Sequence, residues 1–281
     1  MIPLLSFEIP NFLNGSVLLS LFTLTFLEIV LGVDNIIFIS IATSKLKVKE
    51  QKKATNVGLI LAMFFRIILL LGVSYLIAMS APWFSFDSEF VKFGFSGQSL
   101  ILMAGGVFLL YKSVTEIHHK LDTEVNDNSA SSSSTVSVRS VIIQITVINI
   151  VFSFDSILTA VGMTNGVEGA LIIMIIAVVL SVILMLVFAV QVGRFVNKNP
   201  TIQMLGLAFL ILIGFMLIIE GAHLAHLSFF GNEVGAVPKG YLYFAIAFSL
   251  LVEFLNIKLR KKSIPIELNS ATNKAQNQGL L

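Results

Sequence analysis

The sequence predicts an all-α membrane protein: seven transmembrane helices, built as two inverted three-helix repeats with a seventh helix appended, N-terminus outside and C-terminus inside. Three observations carry that prediction. Of 281 residues, 56% are hydrophobic and only 12% charged, with mean hydropathy +0.94, too little polar surface for a soluble chain of this length. Seven apolar segments, near 13–42, 56–79, 97–113, 140–163, 168–192, 203–222 and 240–257, each suffice to cross a bilayer, which takes about 17–25 residues. Two of these segments repeat an acid-bearing pattern.

The first span contains LEIVLGVDNIIFIS at 27–40 and the fourth contains INIVFSFDSILTAV at 148–161. Aligned from Thr25 and Thr146, the windows share Thr25/Thr146, Ile29/Ile150, Val30/Val151, Asp34/Asp155 and Ile36/Ile157. Apolar identities arise by chance between such windows, so the Thr and Asp matches carry the weight. An ionised carboxylate in hydrocarbon costs about 2.5 kcal/mol or more, so two acids at equivalent points of a repeat suggest a site for something cationic.

Basic residues sort the loops. Lys45, Lys47, Lys49, Lys52 and Lys53 follow the first span; Lys112, Lys120 and Arg139 flank the loop after the third; Arg194 and Lys198 follow the fifth; Lys258, Arg260, Lys261 and Lys262 follow the seventh. In the intervening loops Lys92 is offset by Asp87 and Glu89, and Lys239 by Glu233. The positive-inside rule then places the N-terminus outside. The expected organisation is a first repeat over 1–121, a mobile Ser-rich cytoplasmic linker over 122–139, a second repeat over 140–230, the seventh helix over 231–260 and a disordered cytoplasmic tail over 261–281. Because three spans precede the linker, the second set inserts upside down. Glu116 and Glu220, near the ends of the third and sixth spans, then fall at opposite membrane faces. The N-terminus lacks a basic region and a small-residue cleavage site, so no removable signal peptide is expected and the first span anchors itself.

Without cysteine, neither a disulfide nor a thiolate metal site is possible. The net charge of +2 is explained by the span-flanking lysines and arginines, and no nucleic-acid patch is seen. Nothing fixes an oligomeric state. No Gly-rich phosphate loop, Ser–His–Asp order or H-E-x-x-H occurs, so an enzyme is not expected.

The candidate metal ligands are Glu28, Asp34, Asn35, Asn149, Asp155 and Ser156. At 100° per residue Glu28 and Asn35 are nearly in line, as are Asn149 and Ser156, whereas Asp34 lies about 120° from Glu28 on a straight helix. A helix break at Gly32 would bring these acids together and expose carbonyls to a cation. The alternative for each acid is a buried carboxyl satisfied by neighbouring helices. Arg66, flanked by Phe64, Phe65, Ile67 and Ile68 mid-span, needs an acid partner, most simply Glu28, Asp34 or Asp155. Glu116, Glu220 and Glu253 mark a peripheral ion path, and the last two are also placed to snorkel to the interface. His223 and His226 resemble a metal face only loosely, and rim positions suit them better. His118 and His119 sit in a basic stretch and are expected in solvent.

LEIVLGVDNIIFIS at 27–40, GGVFLLYKSVTEIHHKL at 105–121, VFSFDSILTAVGM at 151–163 and PKGYLYFAIAFSLLVEFLN at 238–256, in that order, resemble the TerC family of integral membrane proteins. The resemblance covers about 13–260. It implies seven helices, kinship with the lysine-exporter superfamily, an association with tellurite resistance and export of Mn²⁺ from the bacterial cytoplasm across the inner membrane. The family's intramembrane acids fall on Glu28, Asp34 and Asp155, while Asn149 stands where many relatives carry Asp. Carboxylate, amide and backbone oxygens form a hard site suited to Mn²⁺, Mg²⁺ or Ca²⁺. The expectation is a lipid-embedded secondary transporter exporting Mn²⁺ by alternating access. The main rival is a membrane scaffold, insertion factor or metal-delivery partner for membrane or exported proteins. An amino-acid exporter is a third reading, disfavoured because Arg66 alone would have to meet the substrate carboxylate.

Overall fold

In a computed structural model, residues 9–125, 137–164 and 167–260 are described, without the side chains at 33, 34, 122–125 and 260. The linker centre and the tail beyond 260 lie outside the described residues, and so does the side chain of Asp34. The long helices are α1 (Gly15–Ser44), α2 (Val48–Leu71), α4 (Gly97–Val125), α5 (Val138–Met163), α6 (Ala170–Lys198), α7 (Pro200–Leu224) and α8 (Lys239–Arg260), and a short α3 (Val73–Ala78) follows α2. Seven of them are long and apolar enough to cross a membrane, matching the expected spans in number and order. Asn14 caps α1, its side chain accepting from the Ser16 N–H at 3.2 Å, which satisfies one of the donors a helix start leaves open.

Four expectations need correction. Among the described residues the chain is not all-α: β1 (Pro82–Asp87), β2 (Val91–Ser96), β3 (Ser228–Phe229) and β4 (Asn232–Glu233) form a four-stranded antiparallel sheet in the order β1-β2-β3-β4. Its phenylalanines pack on one another, with ring centroids 5.4 Å apart for Phe84–Phe95, 5.5 Å for Phe86–Phe93 and 4.9 Å for Phe93–Phe95. The second span, expected over 56–79, begins earlier at Val48 and ends at Gly72, where the chain restarts as α3. The third continues beyond 113 through Val125, because Lys112, Glu116 and Lys120 recur every four residues, the spacing at which opposite charges support a helix. Finally, α1 runs unbroken through Gly32. The missing side chain there serves packing: a Cβ on Gly32 would lie 2.6 Å from Met185 Sδ on α6.

Within residues up to Leu242 the principal helix pairs are α4 with α7, α1 with α6 and α2 with α5, and α1 also meets α5 and α2 meets α6. The α4–α7 seam is a backbone contact. A Cβ on Gly106 would sit 2.5 Å from the Gly214 carbonyl oxygen, and one on Gly221 2.8 Å from that of Ser99. Small residues allow such approach between membrane helices, where van der Waals contact replaces the hydrophobic drive of water. The same two helices are tied at both ends. Gly94 N–H, just before α4, donates to Ala225 O, just after α7, at 2.7 Å, and Lys120 donates to Gln203 at the far end. Residues from Tyr243 onward form a separate unit comprising the rest of α8, in which Phe244 and Phe248 stack at 5.9 Å.

Candidate functional site

Four consecutive apolar neighbours on α2 force Arg66 to find its partners across the bundle, because an unpaired guanidinium costs about 2.5–3.5 kcal/mol at the centre of a membrane helix. Arg66 Nη1 lies 2.6 Å from Glu28 Oε2 on α1, and Arg66 Nη2 donates to Ser156 Oγ on α5. Both charged residues are buried, at 8% and 4% exposure. The Glu28 contact is ionic without hydrogen-bond alignment, which leaves Glu28 Oε2 without a hydrogen-bond partner, and Arg66 Nε is buried without one as well. One arginine therefore stitches α1, α2 and α5 together. Of the three acids expected for it, Glu28 fills the role.

Polar oxygens accompany Glu28 along α1. Thr25 Oγ1 and Asn35 Oδ1 are buried without a partner. Thr25, Glu28 and Asn35 occupy one side of a continuous helix, spread over about 15 Å at 1.5 Å per residue. A narrow apolar void beside Glu28 is lined by Leu24, Leu70, Ile157 and Met174 among others.

The matching positions of α5 all bond to the backbone of their own helix, Ser156 in addition to accepting from Arg66. Thr146 Oγ1 donates to Ile142 O at 2.8 Å, Asn149 Nδ2 to Ile145 O at 2.9 Å and Ser156 Oγ to Ser153 O at 3.1 Å. Ser153, which occupies the position of Gly32 in the second window, donates its hydroxyl to Asn149 O at 2.6 Å inside an unbroken helix. Asp155 has a partner that sequence reasoning missed: Lys239 Nζ, 2.7 Å from Asp155 Oδ1 and also donating to Thr159 Oγ1. That pair is less enclosed, with side chains 27% and 20% exposed. The sequence alone places Lys239 as a loop charge offset by Glu233. The overlooked signal was an isolated cation at the start of an apolar span.

The peripheral acids separate. Glu116 is buried at 1% exposure and pairs with Lys45 Nζ at 2.7 Å, its other oxygen unpartnered, in a cavity shared with His119, Lys120 and Gln203. Glu220 lies at the opposite end of α7, half-buried. Glu253, in the separate unit, accepts from Asn256 Nδ2 at 3.4 Å. His223 Nδ1 meets Val234 O at 3.0 Å, which makes it a rim residue, and His226 is exposed. No group of three or more His, Cys, Asp or Glu among the described residues is gathered closely enough to hold a metal. The candidate ligands instead form two ion-paired stations, Glu28–Arg66–Ser156 and Asp155–Lys239, with Asn35 and Asn149 beside them on their own helices.

Residues 13–263 match the integral membrane protein TerC family. The chain is 41% identical over 243 residues to a UPF0053 protein of Haemophilus influenzae, covering 86% of this chain and 94% of the relative. It is 40% identical over 245 residues to the UPF0053 inner membrane protein YgdQ of Escherichia coli K12, covering 87% and 94%. Against E. coli YoaE, also named an inner membrane protein, identity is 40% over 252 residues, covering 90% of this chain and 45% of the longer relative. No solved structure matches the chain. With these relatives and seven helices long and apolar enough to span, the protein is a multi-pass inner membrane protein. It belongs to the TerC family of integral membrane proteins.

Proposed function

We propose that the protein exports a divalent cation, Mn²⁺ foremost, by alternating access between two inverted three-helix repeats with its lysine-rich helix ends inside. The observation that carries this reading is the line of buried oxygens on α1, Thr25 Oγ1 and Asn35 Oδ1 without partners on either side of the Glu28 carboxylate. A buried polar atom left unpaired costs about 1–3 kcal/mol, and a passing hard cation is a natural partner for a row of them. In the empty protein Arg66 neutralises Glu28 and Lys239 neutralises Asp155, so each carboxylate has a built-in counter-ion. A divalent cation displaces that counter-ion on arrival and is displaced by it on departure. Such exchange keeps affinity moderate, as transport requires.

The helix pairing supports the repeat arrangement. Exchanging the first three spans with the second three converts the α1–α6 pair into α5–α2 and maps α4–α7 onto itself. Strands β2 and β3 hydrogen-bond across the loops after α3 and α7, while Lys45–Glu116 and Lys120–Gln203 join the opposite helix ends, in keeping with spans that alternate in direction. The deciding experiment is Mn²⁺ flux into proteoliposomes with Mg²⁺, Ca²⁺ and Zn²⁺ as competitors. Saturable Mn²⁺ flux that vanishes in Asp34→Asn and Asp155→Asn is expected. Folded wild-type protein without flux would discard transport in favour of a scaffold role.

A further inference from the structure

A second cavity, remote from both ion pairs, opens where α1 ends, α2 begins and α6 ends. It holds about 370 Å³ and is lined by Ser40, Thr43, Lys52, Thr55, Arg194 and Asn197 among others. No carboxylate among the described residues lines it, and neither Lys52 nor Arg194 forms an ion pair with a described residue. Glu50, in the same helical turn as Lys52, is not among its lining residues. The neighbouring cavity of about 390 Å³ differs in this respect, since there Glu116 balances Lys45. Lys52 and Arg194, exposed at the mouth of one recess beside the Asn197 amide and without an acid partner among the described residues, describe a receptor for an anion.

The shape and depth narrow the anion. From Asn197 at the end of α6 to Ala189, also in the lining, is eight residues, or about 12 Å along the helix. The headgroup layer of each leaflet is about 5–8 Å deep, so a recess of this depth at the basic helix ends is long enough to take a headgroup and the start of an acyl chain. Its apolar lining comes from Val48, 82% exposed, with Ala189 and Val190 of α6. Gly193, facing Ser40, keeps the α1 side open, since a Cβ there would lie 3.2 Å from Ser40 Oγ. The geometry points to a phosphate-binding pocket in which Lys52 and Arg194 hold a phosphate group, with Asn197 and the hydroxyls of Ser40 and Thr43 at its sides. Basic recesses between membrane helices receive anionic headgroups in this manner. The site is independent of the identity of any transported ion.

The test uses the full chain, with native mass spectrometry during titration with phosphatidylglycerol or phosphatidylcholine and thermal shift with inorganic phosphate. Lys52→Gln/Arg194→Gln removes both pocket cations. Lys53→Gln/Lys198→Gln removes two neighbouring charges outside the lining. Phosphatidylglycerol is expected to bind in preference to phosphatidylcholine and to weaken roughly thirtyfold in the pocket variant, at about 1 kcal/mol per cation, while the control changes little. Stabilisation by inorganic phosphate alone, lost in the pocket variant, would identify the soluble ion as the source. Asn197→Asp, at an exposed position, places a repelling carboxylate in the pocket and repeats the test should the double variant fold poorly. Equal loss in pocket and control variants, or no response to either probe, would overturn the pocket in favour of a diffuse basic surface.

Discussion

The windows starting at Thr25 and Thr146 look alike in sequence and behave differently in the fold. On α1 Thr25 Oγ1 and Asn35 Oδ1 have no partner, and Glu28 reaches across to Arg66. On α5 every counterpart bonds to the backbone of its own helix, Thr146 to Ile142, Asn149 to Ile145 and Ser156 to Ser153. One copy leaves polar oxygens without partners, and the other bonds its counterparts to its own backbone, with Ser156 also accepting from Arg66. A duplicated motif in this protein is therefore a duplication of positions, with the ligand-seeking chemistry concentrated in the first copy and Asp155 as the outward-reaching acid of the second.

Four substitutions break or sharpen that contrast. The largest effect is expected from Arg66→Ala, which strands Glu28 and should lower stability by about 3–5 kcal/mol, read as thermal unfolding in detergent. Glu28→Gln/Arg66→Gln should recover much of the loss, and failure to do so would mean that Arg66 acts through packing. Asn149→Asp puts a carboxylate into the second copy at the place of Glu28. It should cost about 2.5 kcal/mol without metal, and Mn²⁺ should then raise its melting temperature more than that of wild type. An unchanged Mn²⁺ response would count against a site shared by the two windows. Asn35→Leu, nearly isosteric, should stabilise the fold by about 1–3 kcal/mol by removing an unsatisfied oxygen while slowing Mn²⁺ flux. Unaltered flux would remove Asn35 from the path. Asp155→Asn should change stability by only about 0–1 kcal/mol, since its partner Lys239 is partly solvated, yet abolish flux. Retained flux would make that acid structural.

The spans were legible because runs of apolar residues dominate any reading at bilayer length. Arg66 with Glu28 was legible because a buried guanidinium leaves few alternatives. The sheet was hidden: Phe84, Phe86, Phe93 and Phe95 alternate as strand residues do, but in a chain this rich in phenylalanine they read as lipid-facing. Lys239–Asp155 was hidden by distance along the chain, 84 residues, since nothing local selects one basic residue as the partner. Gly32 misled for a related reason. A glycine between two acids looks like a hinge, and only the position of Met185 on another helix shows it to be a seat for a thioether.

The glycine seam between α4 and α7 bears on mechanics. Two backbones in contact at Gly106 and Gly214, fastened at one end by Gly94 to Ala225 and at the other by Lys120 to Gln203, cannot shear or part without losing that close packing and the bonds at both ends. The pair acts as a fixed post. In the proposed mechanism, motion that turns the acids from one side of the bilayer to the other then belongs to α1, α2, α5 and α6, and each ion pair has its acid on α1 or α5. Under the proposed alternating access, the post sets what stays still and so defines the fulcrum for the acid-bearing helices.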